Sequence, residues 1–449
     1  MAERWLYAWG LGSVAFGGAS LLVPLYVVQL GGSPLDLGVL FATATVIGAP
    51  GAILFGRLAD RVGHRRPLVL LTLAITAAAL AVIPLLERVP AVFVANAALW
   101  LVVASVGPVL TMLVVADAAS EDWGERIGQL NTYQGYGWAG GLVLGAVWPV
   151  LGRPFLGPEL ATRGLFWLLA GCAAVAALLA SRSLPAPPPG PPVTTERAAR
   201  RVARLLAASG RGGIRGATFV FAPNRLYWSS RDFHPRRLID RLDPSMVTYL
   251  AAAVLFFTGF AAFWAPLPLF LTGAGFTAAQ IFGLYLVSSL ASAALYDRVG
   301  TLVGRTDVRL LQTGALAARG LLFPLVALGT GFGLLALELG VVAFVLVLIG
   351  GTWAVIAVVG TAIVTRLAPA AVRGELLGVH TALAAVGGGV GGLLGGWAAS
   401  FGYLLAFGVA GGLVVLGAAL VGSLAVLSDR EPVAGIPPVD AAEPSEPGP

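Results

Sequence analysis

Apolar runs of about twenty residues recur along most of this chain, the length that crosses the ~30 Å hydrocarbon core of a bilayer as a helix. They fall near 5–29, 35–57, 67–86, 91–116, 126–150 and 164–182, then near 246–271, 278–299, 309–329, 338–365, 374–398 and 401–427. Backbone groups in lipid must be paired within their own segment, so each run is restricted to a helix. A soluble domain has no use for this much apolar surface, since 58% of 449 residues are hydrophobic and only 11% are charged. Glycine occupies 60 positions, many of them inside the runs. In lipid such small residues let helices approach closely. The first run is longer than a signal-peptide core and no convincing small-residue cleavage site follows it, so it is expected to remain as the first helix.

The chain looks duplicated. An offset of 244 lays Phe16–Ser33 on Phe260–Thr277, with Pro24 on Pro268 and Gly31 on Gly275. The same offset carries Gly56 to Gly300 and Arg61 to Arg305. Further along, an offset of 250 pairs Gly124 with Gly374, Glu125 with Glu375, Gly128 with Gly378 and Gly145 with Gly395. The expectation is an all-α membrane protein of twelve transmembrane helices, arranged as two pseudo-symmetric six-helix bundles. The bundles are placed at 1–181 and 246–427. Turns are expected at Gly31–Pro34, Val89–Pro90, Gly152–Pro154, Gly273–Gly275 and Phe401–Gly402.

The basic residues set an orientation. All 28 are arginine, and 24 of them fall on one set of ends or in the segments beyond it. The opposite ends hold Arg88, Arg153 and Arg163, while Arg319 lies inside a run. Positive residues favour the cytoplasmic side, which puts both termini and the 182–245 linker there in a multi-pass cell-membrane protein. The linker opens with a proline-rich spacer at Pro185–Pro192, then a basic amphipathic stretch at Thr195–Ala208. That stretch suits either the inner membrane surface or a cap on the cytoplasmic face. A pI near 9.9 is better explained by anionic lipid headgroups than by nucleic acid, because the arginines are spread as in a membrane protein. The tail at 428–449 is rich in proline, alanine and acids and is expected to be disordered. One cysteine, Cys172, and three scattered histidines leave no disulfide and no metal site, and no cofactor is expected. The chain is expected to be a monomer.

Between the second and third runs comes a burst of charge, Gly56-Arg57-Leu58-Ala59-Asp60-Arg61-Val62-Gly63-His64-Arg65-Arg66. It resembles the loop signature of the major facilitator superfamily, the large family of secondary membrane transporters, with His64 departing from the commonest residue. The resemblance implies the two-bundle fold of that family and a gating role for Gly56, Asp60, Arg61, Gly63 and Arg65. Gly56 and Gly63 permit a sharp turn. Asp60 is costly to bury unless paired, and the resemblance implies that it docks at the positive end of the eleventh helix, near Gly374, when the cytoplasmic side closes. The alternative is a solvated pair with Arg61 or Arg65. The second copy is degenerate, with Gly304 in place of Asp60 and Asp307 in place of Gly63. Glu125–Arg126 and Gly374–Glu375 open the fifth and eleventh helices. Their glutamates suit a helix N-terminus, or a gate with the signature arginines. The fifth helix also resembles the glycine-rich signature of drug–proton antiporters in this family, but lacks its Gly-Pro pair. The fourth helix carries Asn96 and Trp100 where many proton-coupled relatives carry arginine.

Polar residues inside spans are costly and point to a solute path. The candidates are Asn96, Trp100, Asn131, Gln134, Trp138, Trp264, Tyr285, Arg319 and His380. Arg319 reads either as an anion or coupling site or as a cation satisfied by a backbone carbonyl. Interhelical hydrogen bonds account for most of the others without any solute. An aromatic and polar lining suits a neutral or amphipathic small organic molecule. Three function classes compete. A secondary transporter driven by a proton, ion or solute gradient fits the signature and the repeat, with export slightly preferred over uptake. A nucleotide-driven pump is excluded, because a phosphate-binding loop needs lysine and the chain has none. A membrane enzyme would need clustered carboxylates or histidines, which the runs lack. A transporter-like sensor would signal through the linker.

Overall fold

The computed structural model describes residues 4–62, 65–114, 123–184, 243–302, 305–367 and 373–428. Gly63, nearly all of the linker and the tail beyond Ser428 lie outside these residues. The described chain is helical throughout, in the order α1 (Arg4–Gln29), α2 (Pro34–Val62), α3 (Arg65–Val82), α4 (Val89–Val114), α5 (Trp123–Ser183), α6 (Pro244–Trp264), α7 (Leu267–Gly273), α8 (Ala278–Leu302), α9 (Val308–Leu328), α10 (Leu335–Leu367), α11 (Arg373–Ala399) and α12 (Tyr403–Ser428). Ten helices among the described residues are long and apolar enough to cross a bilayer.

α5 has 61 residues. A straight helix of that size would run ~90 Å, about three bilayer cores. It is broken at Gly157, whose φ of 73° and ψ of 169° no side chain adopts easily. The expected reversal at Gly152–Pro154 is therefore corrected: those residues are helical, and the chain turns at the first glycine after Pro154. The Trp148 indole donates to the Ala161 carbonyl at 2.8 Å and pins the two limbs across that turn. Both limbs pack on α1. Gly10 and Gly17 meet Tyr133 and Trp138 of the first limb, while Gly18 and Gly12 meet Leu169 and Ala176 of the second. The numbering rises together in one case and in opposite senses in the other, so the limbs run antiparallel beside α1.

The expected span at 246–271 is interrupted. α6 stops at Trp264 and α7 starts at Leu267, because Pro266 and Pro268 remove two backbone donors in close succession. Its counterpart α1 carries only Pro24 inside the helix and stays continuous.

The contacts obey the sequence offsets. Ser33 and Asp36 form a reciprocal cap on α2, with the Ser33 amide donating to Asp36 Oδ2 at 2.8 Å and the Asp36 amide donating to Ser33 Oγ at 3.2 Å. An equivalent reciprocal cap recurs 244 residues later, where the Thr277 amide donates to Gln280 Oε1 at 2.8 Å and the Gln280 amide to Thr277 Oγ1 at 3.3 Å. On the first limb of α5, Gly137 and Gly141 abut the carbonyls of Gly10 and Val14 on α1. On α11, Gly387 and Gly391 abut the carbonyls of Val254 and Thr258 on α6. The glycines differ by 250 and their partners by 244, the two offsets read along the sequence.

Helices from the two halves of the chain also meet. Gly38 of α2 lies against Gly392 and Gly396 of α11, and Gly145 of α5 takes the ring of Phe282 from α8. Phe282 stands 244 residues after Gly38, so the two seams are equivalent in position and opposite in bulk. At the loop between α9 and α10, the carboxylate of Glu338 is buried and accepts from the Gly331 and Gly333 amides at 3.0 and 2.9 Å. Glu338→Ala leaves two donors without that acceptor and is expected to lower stability by about 1–3 kcal/mol, measured by thermal denaturation in detergent.

Candidate functional site

The charged signature spans the end of α2 and the start of α3. Gly56, Asp60 and Arg61 belong to the last turns of α2 and Gly374 and Glu375 to the first turn of α11, but the side chains of Asp60, Arg61 and Glu375 lie outside the described part of the structure. Arg65 and Arg66 are described, and both reach backbone carbonyls near helix C-termini. Arg65 donates Nη1 to Met112 at the end of α4 at 3.0 Å, and Arg66 donates to Ser181 at the end of α5. Those termini carry partial negative charge, which favours a guanidinium. Asp307, in the degenerate second copy, caps α9 by accepting from the Arg309 amide at 2.7 Å. Glu125 is exposed in the first turn of α5 and accepts from Gln129 at 3.1 Å, while Arg126 is half-buried beside it.

The candidate path residues fall into separate clusters. In the first half of the chain, the Trp9 indole donates to Gln134 Oε1 at 3.3 Å, and the rings of Trp100 and Trp138 lie 6.4 Å apart. Asn131 is half-buried one turn before Gln134, and Asn96 is buried on α4 one turn before Trp100. In the second half, Trp264 meets Tyr285 edge-on at 5.2 Å. His380 stacks on Tyr249 at 5.8 Å and meets Phe257 at 5.6 Å. Tyr249 is itself buried, donating to the Gly360 carbonyl at 3.3 Å and accepting from Gln312 at 3.2 Å.

Arg319 is the most constrained of the set. It is 2% exposed and bridges α9 to α10, donating Nη1 to the Ile349 carbonyl at 2.7 Å and to Thr352 Oγ1 at 3.2 Å. Phe260, Phe323 and Trp353 turn their rings toward its guanidinium at 4.5, 5.6 and 5.6 Å. The Ile349–Thr352 stretch is a meeting point of three helices, because Ser292 of α8 also donates to the Gly350 carbonyl at 2.6 Å. Residues missed by sequence reasoning are Trp9, Tyr249, Gln312 and Trp353. Gln312 carried a signal, as an amide inside an apolar run.

The fold has counterparts among known proteins. A family model described as Major Facilitator Superfamily matches residues 7–350. The chain belongs to the major facilitator superfamily. No curated protein sequence matches it. Solved structures similar to this superfamily member include the nucleoside transporter NupG, at 13% identity and a TM-score of 0.71 over 94% of this chain and 98% of that one. The POT family transporter PepTSo is 14% identical with a TM-score of 0.65, covering 95% of this chain and 98% of its own. The proton:xylose symporter XylE is 16% identical with a TM-score of 0.56, covering 94% and 95%. The protein is thus a multi-pass, all-helical membrane protein of a transporter family.

Proposed function

We propose that this superfamily member moves a small organic solute across the cell membrane by alternating access. Twelve spans form two halves, 1–181 and 246–427, which rock about a central path, with the termini and the 182–245 linker in the cytoplasm. The observation that carries this reading is the paired packing of α5 on α1 and α11 on α6 under two fixed offsets. Two equivalent bodies joined by glycine-lined seams can tilt against each other without unpacking internally. Export is slightly preferred over uptake, and an ion or solute gradient supplies the driving force. Anionic lipids hold the arginine-rich face. The test is thermal-shift screening of purified protein against a compound library, followed by flux of each hit in proteoliposomes with and without a proton gradient. Hits that bind but never cross, under either gradient, would overturn it.

We propose that the charged signature closes the cytoplasmic end in this cycle, with Asp60 docking at the N-terminus of α11 near Gly374, Arg126 beside it, and Glu125 and Glu375 gating with the signature arginines. Asp60→Asn keeps the size and removes the charge. It is expected to lower flux at least about tenfold, a change of about 1.4 kcal/mol in the limiting barrier, while membrane yield stays at the parent level. Parent-level flux from Asp60→Asn vesicles would remove the signature from the mechanism.

A further inference from the structure

Arg319 is buried without an ion-pair partner among the described residues. The Ile349 carbonyl and Thr352 hydroxyl take Nη1, whereas Nε is buried without an acceptor. Among the described residues no carboxylate forms an ion pair with it. Glu338, the buried carboxylate of α10, is committed to the Gly331 and Gly333 amides. Ring faces and a carbonyl attract a cation without neutralising it. Holding a full charge in this interior is expensive when an apolar side chain of the same length would also bridge the helices.

We infer that Arg319 is the counter-charge for an anionic solute. Its guanidinium takes an oxyanion, carboxylate or phosphate, and half-buried Trp353 is the ring beside it that takes an apolar remainder. A guanidinium suits this task because its fork of donors matches two oxyanion oxygens, and Nε is the donor still lacking an acceptor. Trp353 is half-buried and meets the buried ring of Phe260 edge-on at 6.0 Å. Its indole donates to Tyr296, which fixes the ring beside the guanidinium. The inference rests on the transport reading and names the solute class for it.

The test uses the full chain in lipid nanodiscs and calorimetric titration with benzoate, 2-naphthoate and phenyl phosphate, against neutral benzamide. At least one anion is expected to bind where benzamide does not, and the carboxylate and phosphate arms separate the two oxyanions. Arg319→Met is expected to weaken that binding about tenfold to a hundredfold, the worth of a charge-assisted hydrogen bond. Without ligand it should melt at or above the parent temperature, because an unbalanced buried charge is gone. A purely structural bridge gives the opposite pair of results, a lower melting temperature with anion binding intact. If Arg319→Met does not fold, Arg319→Lys carries the test. Weaker anion binding than the parent supports the inference, since a point charge replaces the fork, and parent-level binding overturns it. Failure of all three anions to bind better than benzamide also overturns it. Anion binding with no flux of any probe sinks the transport reading alone. Flux of a neutral solute that benzoate does not inhibit sinks the anion site alone.

Discussion

Gly391→Val is expected to abolish the folded protein, at a cost of about 3 kcal/mol or more. A methyl placed on Gly391 would collide with the Thr258 carbonyl oxygen and lie 2.9 Å from Ala261 Cβ. The oxygen belongs to the backbone of α6, so relief requires shifting a whole helix. Gly141→Val meets the same obstacle at the Val14 carbonyl and should fail in the same way. Gly283 and Gly408 serve as controls, since an added Cβ meets nothing within 4 Å at either. Alanine there should leave stability unchanged or raise it slightly through helix propensity. Size-exclusion profile and thermal denaturation in detergent measure all four. A Gly391→Val protein that is monodisperse and melts with the parent would show that the two helices do not pack as described.

The glycine series was visible in the sequence as a pattern, and its purpose was not. Apolar length alone announces helices, because lipid leaves the backbone no other way to pair its polar groups. Offsets of 244 and 250 were readable because Pro24, Gly31, Glu125 and Gly145 have counterparts of the same kind. What no pattern states is which face of a glycine-rich helix meets which neighbour. α11 uses one face on α6 and another on α2, and only the fold separates them. Turns followed proline and glycine less faithfully. Pro154 sits inside α5 while the reversal waits for Gly157, because only glycine takes the positive φ that the turn needs at no steric cost. Pro266 broke the expected span because it comes two residues before Pro268. Of the candidate path, the pairs Trp100–Trp138 and Trp264–Tyr285 do come together. Arg319 was conspicuous as a lone charge in an apolar run, but its companion Trp353 looked like one more aromatic among many.

Gly38→Leu should separate folding from transport. Gly38 closes on the Gly392 carbonyl, and Gly396 lies 2.5 Å, as a Cβ would measure it, from the carbonyl of Pro34. The chemistry matches that of Gly391, yet the partner lies in the other half of the chain. A side chain at Gly38 can be relieved by parting α2 from α11, with the packing of α1 on α5 and of α6 on α11 left whole. The expected product is therefore monodisperse and stable, but held with this seam open. Flux should fall at least about tenfold, because a cycle that cannot close one end loses its turnover state. The equivalent seam tolerates bulk, since Phe282 already fills Gly145 there. Opening is read independently of flux by a single cysteine. With Cys172→Ala as background, Phe41→Cys lies beside Gly392, whose Cβ position is 3.2 Å from the Phe41 ring. An impermeant maleimide should label Phe41→Cys about tenfold faster in the Gly38→Leu background, as burial against α11 is lost. Full flux from Gly38→Leu would mean that this seam never needs to close. Aggregation like that expected of Gly391→Val would mean that α2 and α11 belong to one folding unit, and the two halves would then have no seam to rock about.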